Sequence, residues 1–201
     1  MPLVKQRLVR KISQQPTSRS TASPLLKRSA TYSLIAVICG AYLVGMIYPH
    51  FKDLAFLPSF QILQVNHEWY RLLTVALVHA GLLHLGFNMY ALMVLGNPIE
   101  AAFGAKKFLT IFFISLLCGS LFASYFSPIY YQSIGASGAI FGLFGALAMV
   151  SKKIGANLQP ILVIIGINFA MDFVIKGIDW KAHLGGLIGG ALASQLVLTR
   201  R

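Results

Sequence analysis

The chain has 201 residues, of which 57% are hydrophobic and only 11% are charged, the balance of one integral membrane domain rather than of a soluble or disordered protein. A formal net charge of +12 could suggest nucleic acid, but the placement of the charges excludes it as the partner. Lys5, Arg7, Arg10, Lys11, Arg19, Lys27 and Arg28 all fall in residues 1–28, which hold no acidic residue, and the Ser, Thr, Gln and Pro between them mark a disordered cytosolic segment attracted to anionic lipid headgroups.

An Arg- and Ser-rich start without acids also has the composition of a mitochondrial transit peptide. The long basic preface, with no A-x-A site plainly following the first apolar run, makes that run a retained span. Residues 29–201 then divide at loop signals into six helices. The first is expected over about Thr31–Tyr48, ended by Pro49. A long connection from His50 to about Val78 carries Pro58 and several aromatic residues. The second helix is expected over His79–Gly96, stopped by Asn97-Pro98, and the third over Lys107–Phe126, stopped by Ser127-Pro128. A short fourth helix follows over Ser137–Ser151, then a fifth over Leu158–Ile175 and a sixth over Ala182–Thr199. Cys39 and Cys118 both fall in apolar segments and read as packing residues.

With residues 1–28 in the cytosol, the turns holding Lys106-Lys107 and Lys152-Lys153 and the tail Arg200-Arg201 are also inside. Only Lys52, Arg71, Lys176 and Lys181 of the 17 basic residues are left outside. That asymmetry orients the protein with both termini cytosolic. Helices four and six therefore both start from the extracytoplasmic side, which puts Ser137 and His183 at one level. The 15 residues from Ser137 to Ser151 span roughly 22 Å as helix, against a hydrocarbon core of about 30 Å. Ser137 would thus lie below the outer surface, beneath a loop, where irregular backbone is tolerated only if buried in protein or wetted.

Gly186 and Gly190 fall within about 60° of the His183 direction on a helix, and Gly138, Gly142 and Gly145 form a matching stripe. Small residues at this spacing let membrane helices approach closely, which would bring Ser137 within reach of an imidazole able to take its proton. The same glycines also serve plain helix packing, and Ser137 taken singly is one more small residue. His183 is harder to dismiss, because an ionisable group within a span marks function. On the second helix His84 and Asn88 are i and i+4, so they share a face and offer N–H groups to a developing negative charge. A metal site is disfavoured there: no carboxylate or cysteine joins the cluster and Asn is a poor zinc ligand. His79, at the expected helix start, reads as a structural hydrogen-bonding residue. Asp172 is expected to pair with Lys176 at i+4.

These elements together resemble the rhomboid family of intramembrane serine proteases. The resemblance is carried by Trp69-Tyr70-Arg71, the run from His79-Ala80-Gly81 through His84 to Asn88, and Glu100-Ala101-Ala102-Phe103-Gly104. Gly135-Ala136-Ser137-Gly138-Ala139 and Ala182-His183-Leu184-Gly185-Gly186 complete the set. It runs from about residue 31 to 199, with the motifs in order on the expected helices. It implies an all-α, six-transmembrane-helix rhomboid-like bundle with a short central fourth helix. It implies Ser137 as nucleophile and His183 as general base, with His84, Asn88 and the Ser137 amide as oxyanion stabilisers. Gly135 and Phe141 become supporting residues, Phe141 as the aromatic that packs on the catalytic imidazole. Glu100 and Arg71 match positions assigned to structure. Asp179, four residues before His183, is the one loop carboxylate with a conceivable supporting role. No metal or organic cofactor is implied.

The implied substrates are single-pass transmembrane proteins cut near the outer face, reached laterally past helix five. A helix shields its own peptide bonds, so such a substrate must unwind locally at Gly, Pro or other weak helix formers. Six spans without an added leading helix point to a bacterial plasma membrane. Two other classes compete: a non-catalytic rhomboid-like protein that binds client transmembrane helices, and a transporter. Relatives of the first kind typically lack the serine or the histidine, and this chain has both. The second is expected to show a broken-helix repeat or a central row of ionisable groups, and neither stands out.

Overall fold

A computed structural model describes residues 29–151, 155, 157–174 and 177–198. The basic segment 1–28, the lysines at 152 and 153, and the expected Asp172–Lys176 pair lie outside the described residues. Among the described residues, three helices are long and apolar enough to cross a membrane: α1 (Ala30–Ile47), α5 (Leu82–Phe103) and α6 (Ala105–Phe126). Two shorter apolar helices follow, α7 (Ser137–Val150) and α8 (Leu158–Val174), and then α9 (Trp180–Leu198). The protein is all-α.

α1 begins at Ser29 with no acidic residue in its first turn. The missing negative charge comes from another helix. The Glu100 carboxylate accepts from Ala30 N at 2.7 Å, Thr31 N at 2.9 Å, and the hydroxyls of Ser29 and Thr31, both at 2.7 Å. A carboxylate at a helix N-terminus satisfies orphan amides and complements the dipole. This clamp corrects the expected end of the second helix at Asn97-Pro98. Pro98 lies inside α5, which continues to Phe103 and stops at Gly104, φ 85°. Membrane helices tolerate an interior proline because neighbours re-satisfy the freed backbone group, and here the extra turn is what carries Glu100 to α1.

The start of α5 is also corrected. The helix opens at Leu82 behind an extended Gly81, so His79 and Ala80 stand before it rather than on it. His79 is fully buried, and neither ring nitrogen has a hydrogen-bond partner among the described residues. Among the described residues the expected structural hydrogen bond is not found; the ring meets His84 edge-on, with centroids 5.0 Å apart.

The long first connection is more ordered than its sequence suggests. It folds into α2 (His50–Ala55), α3 (Phe60–Asn66), α4 (Arg71–Thr74) and a 3-10 turn, Val75–Leu77. Arg71, buried, gathers these pieces: it donates to the carbonyls of Asp53 and Phe56 and pairs with Glu68 at 2.9 Å. Phe60 packs edge-on against Trp69 and against Tyr125 of α6. Ser120 of α6 donates to the Leu72 carbonyl at 2.8 Å. The connection thus lies across α6 rather than looping free.

α7 is the axis of the molecule. Every residue from Gly138 to Leu147 is buried, mostly between α6 and α9. Glycines make that burial possible at backbone distance. A Cβ added to Gly186 would collide with the Gly138 carbonyl, and one on Gly190 with the Gly142 carbonyl. On the other side of α9, a Cβ on Gly185 would come within 2.5 Å of the Phe122 Cβ of α6.

Candidate active site

Four elements converge at the N-terminal end of α7. The segment before it enters through Gly135, whose φ of 111° favours glycine. Its amide donates to the Val75 carbonyl at 3.0 Å. Ser133, two residues earlier, exchanges both backbone bonds with Leu57, at 2.9 and 2.8 Å. The chain is therefore pinned to the first connection just before it turns into the helix. α7 starts at Ser137 without a side-chain cap, so the N–H groups of its first turn lack intrahelical acceptors and face the loop side. Ser137 is half-buried.

α9 crosses at the same level. A Cβ on Gly138 would lie 3.2 Å from the Ala182 carbonyl oxygen, so the residues flanking Ser137 and His183 are in backbone contact. His183 is buried, and its ring stacks on Phe141, with centroids 3.9 Å apart and planes 8° apart. Phe141 follows Ser137 by one helical turn. Helical side chains lean toward the N-terminus, which tips the Phe141 ring, and the imidazole lying on it, toward Ser137.

From α5, His84 reaches the same place. A Cβ on Gly135 would meet the His84 ring at 3.0 Å from Cε1 and 3.1 Å from Nε2, so a larger side chain there would press on that ring. Ala80 N donates to His84 Nδ1 at 3.3 Å. In the neutral imidazole an accepting Nδ1 leaves the proton on Nε2, the nitrogen beside Gly135. Asn88, buried, donates from Nδ2 to the His84 carbonyl at 2.9 Å. That bond fixes the amide orientation and keeps one N–H of the same group available.

From the sequence, Asp179 is a conceivable helper of His183. In the structure its carboxylate accepts from Ser133 Oγ at 2.6 Å and from Ala182 N at 3.2 Å. The second bond is an N-cap, and it accounts for α9 starting at Trp180, earlier than the expected Ala182. An Asp just ahead of an apolar run is a helix-start signal, so the cap was there to be read. The partnership with Ser133, 46 residues away, carried no sequence signal.

Fold and site together describe a helical membrane domain with a serine, an imidazole and N–H donors around one buried helix start. A family model described as the Rhomboid domain matches residues 66–200. The rhomboid protease GluP of Bacillus subtilis (strain 168) is 44% identical over 135 residues, 63% of this chain and 26% of its own. YdcA of the same organism is 37% identical over 141 residues, 68% of this chain and 71% of its own. The inactive RHOMBOID-like protein 8 of Arabidopsis thaliana is 37% identical over 138 residues, 65% of this chain and 38% of its own. The chain belongs to the rhomboid family and is an integral membrane protein, and it spans about a quarter of the length of GluP.

Proposed function

We propose that the chain is an intramembrane serine endopeptidase acting through Ser137 and His183. It crosses the membrane six times, with both termini cytosolic and the site open to the extracytoplasmic side of a bacterial plasma membrane. Its substrates are single-pass transmembrane proteins whose helices unwind locally near the outer face and reach the serine laterally, past α8. The observation that carries this reading is the stack of His183 on Phe141, one turn from Ser137, where the two helices meet backbone to backbone.

In the reaction, His183 takes the Ser137 hydroxyl proton as Oγ attacks the scissile carbonyl. The tetrahedral oxyanion accepts from the Ser137 amide, His84 Nε2–H and the Asn88 amide. His183 then gives its proton to the leaving amine, the C–N bond breaks, and an acyl-enzyme remains. Water, deprotonated by His183, hydrolyses the ester and restores the serine. The uncapped start of α7 contributes fixed partial positive charge where the anion forms.

The test is covalent labelling of the purified protein by a fluorophosphonate. Wild type should be labelled, and Ser137→Ala and His183→Ala should not, while both variants keep the wild-type melting temperature within a few degrees. Ala in place of Ser137 fits the tight contact with α9, so loss of label is a chemical and not a folding effect. Equal labelling of Ser137→Ala and wild type would end the serine assignment. An unlabelled, folded wild type would instead favour a protein that holds client helices without cutting them.

A further inference from the structure

Resting on the Ser137–His183 reading, we propose that Asp179 is a positioning residue. It locks the segment that carries the serine to the helix that carries the imidazole. Its two carboxylate oxygens do different things. Oδ1 caps α9 through Ala182 N at 3.2 Å, one residue from His183, and the Asp179 carbonyl accepts the His183 amide itself at 3.2 Å. Oδ2 accepts a hydrogen bond from the hydroxyl of Ser133 at 2.6 Å, four residues before Ser137.

Ser133 is already held on its other side by the paired backbone bonds to Leu57. The carboxylate therefore closes a ring of contacts: first connection, pre-serine segment, α9, and back through α7. Tyr131 lies beside the same carboxylate. Burial, then the negative charge of Asp179 close by, pushes the Tyr131 hydroxyl well above the ordinary tyrosine value. Lys181 leans over the Tyr131 ring at 5.5 Å and donates to Ser127 at 3.4 Å, which binds the first residues after α6 into the same cluster.

A carboxylate acting only as a helix cap would need Ala182 N and nothing else. One that also grips Ser133 sets the height of Ser137 relative to His183, and a displacement of about 1 Å in such a pair costs on the order of 10²-fold in rate. The carboxylate acts through the backbone of both partners and takes no proton in the reaction.

Saturation kinetics of fluorophosphonate labelling separate this role from a cap. In labelling, Ser137 Oγ bonds phosphorus, fluoride leaves, and the serine proton passes to His183. Ser133→Ala removes the grip and keeps the cap. Its maximal labelling rate should fall about 10²-fold while the half-saturating probe concentration stays within about twofold, the signature of lost alignment rather than lost binding. Asp179→Ala should fall at least as far. Asp179→Asn should recover most of the rate, since its Oδ1 still caps α9 and its amide can donate to the Ser133 hydroxyl.

Wild-type labelling rates in a folded Ser133→Ala overturn the proposal and leave the serine reading intact. So does a loss in Asp179→Ala that tracks its fall in melting temperature while Ser133→Ala is unaffected. Absence of labelling in wild type defeats the serine reading itself, a result distinct from either. Should Asp179→Ala not fold, Ser133→Ala and Asp179→Asn still decide.

Discussion

The seam between α7 and α9 and the outer helix α8 are both apolar, yet they are built in opposite ways. On the seam, Gly186 and Gly190 face carbonyl oxygens of α7 so closely that a methyl group has nowhere to go. On α8, Gly166 has nothing within 4 Å of the place a Cβ would take. Leu162, Val163, Ile164, Ile167, Met171 and Val174 are exposed, while Ile161 and Ile165 rest against the core. Lipid is as apolar as a leucine, so burial of apolar surface does not by itself draw membrane helices together; close packing does. The helix that bears the serine is therefore fixed at backbone level. Among the described residues, α8 rests on the core through side chains such as Ile161 and Ile165.

The most severe test of that contrast is a pair of identical substitutions. Gly190→Val places a branched side chain against backbone that no rotamer change can relieve. Its cost should reach or exceed the about 1–3 kcal/mol typical of overpacking, enough to lose folded protein in detergent. Gly166→Val should change the melting temperature little, and Gly166→Ala should raise stability by about 0.5–1 kcal/mol, the helix-interior penalty of glycine. Thermal unfolding of the three variants decides it. A folded, wild-type-like Gly190→Val would mean that the seam is looser than its geometry.

Next in size is the contribution of α5, which meets α7 through side chains rather than backbone. On the proposed mechanism Asn88→Ala removes an oxyanion donor and should slow fluorophosphonate labelling and peptide cleavage on the order of 10²–10³-fold. Its effect on stability should be small, about 1 kcal/mol, for it loses the hydrogen bond to the His84 carbonyl, and among the described residues the Asn88 side-chain oxygen has no partner to lose. A large drop in melting temperature with unchanged chemistry would make Asn88 part of the packing and not of the site.

The seam and the elements around it also differ in how much the sequence disclosed. The seam was legible, because glycine spacing and helix geometry are local properties: Gly138, Gly142, Gly186 and Gly190 fall on the contact as the 3.6-residue period requires. Phe141 was placed against the imidazole by family resemblance, and there it lies. What failed to read were features decided by tertiary partners. Pro98 looked like a stop, but Glu100 is needed one turn further on to cap α1. His79 looked like part of α5, but the extended Gly81 starts the helix later. The short helices α2, α3 and α4 are each under two turns, too brief for a periodic pattern. They are held by Arg71 and by contacts with α6 rather than by their own propensity.

The smallest expected effect lies in that first connection, outside the spans. The Arg71 guanidinium bonds Glu68 at 2.9 and 3.2 Å and holds its carboxyl below the ordinary carboxylate value. A carboxyl whose pKa is lower folded than unfolded stabilises the fold above the unfolded value, and the stabilisation is lost as pH falls through the folded one. Melting temperature should therefore decline as pH drops below about 4.5, the ordinary value, and Glu68→Gln should flatten part of that decline while lying slightly below wild type at neutral pH. Glu68 is partly exposed, at 26% of its side chain, so solvent screens the pair and the difference at neutral pH should stay under about 1 kcal/mol. Arg71 also donates to the Asp53 and Phe56 carbonyls, bonds that do not titrate. Arg71→Ala should consequently cost more than Glu68→Gln at every pH. Equal costs would assign the connection's order to the ion pair alone, and would make this outer region, unlike the glycine seam, a structure held by charge.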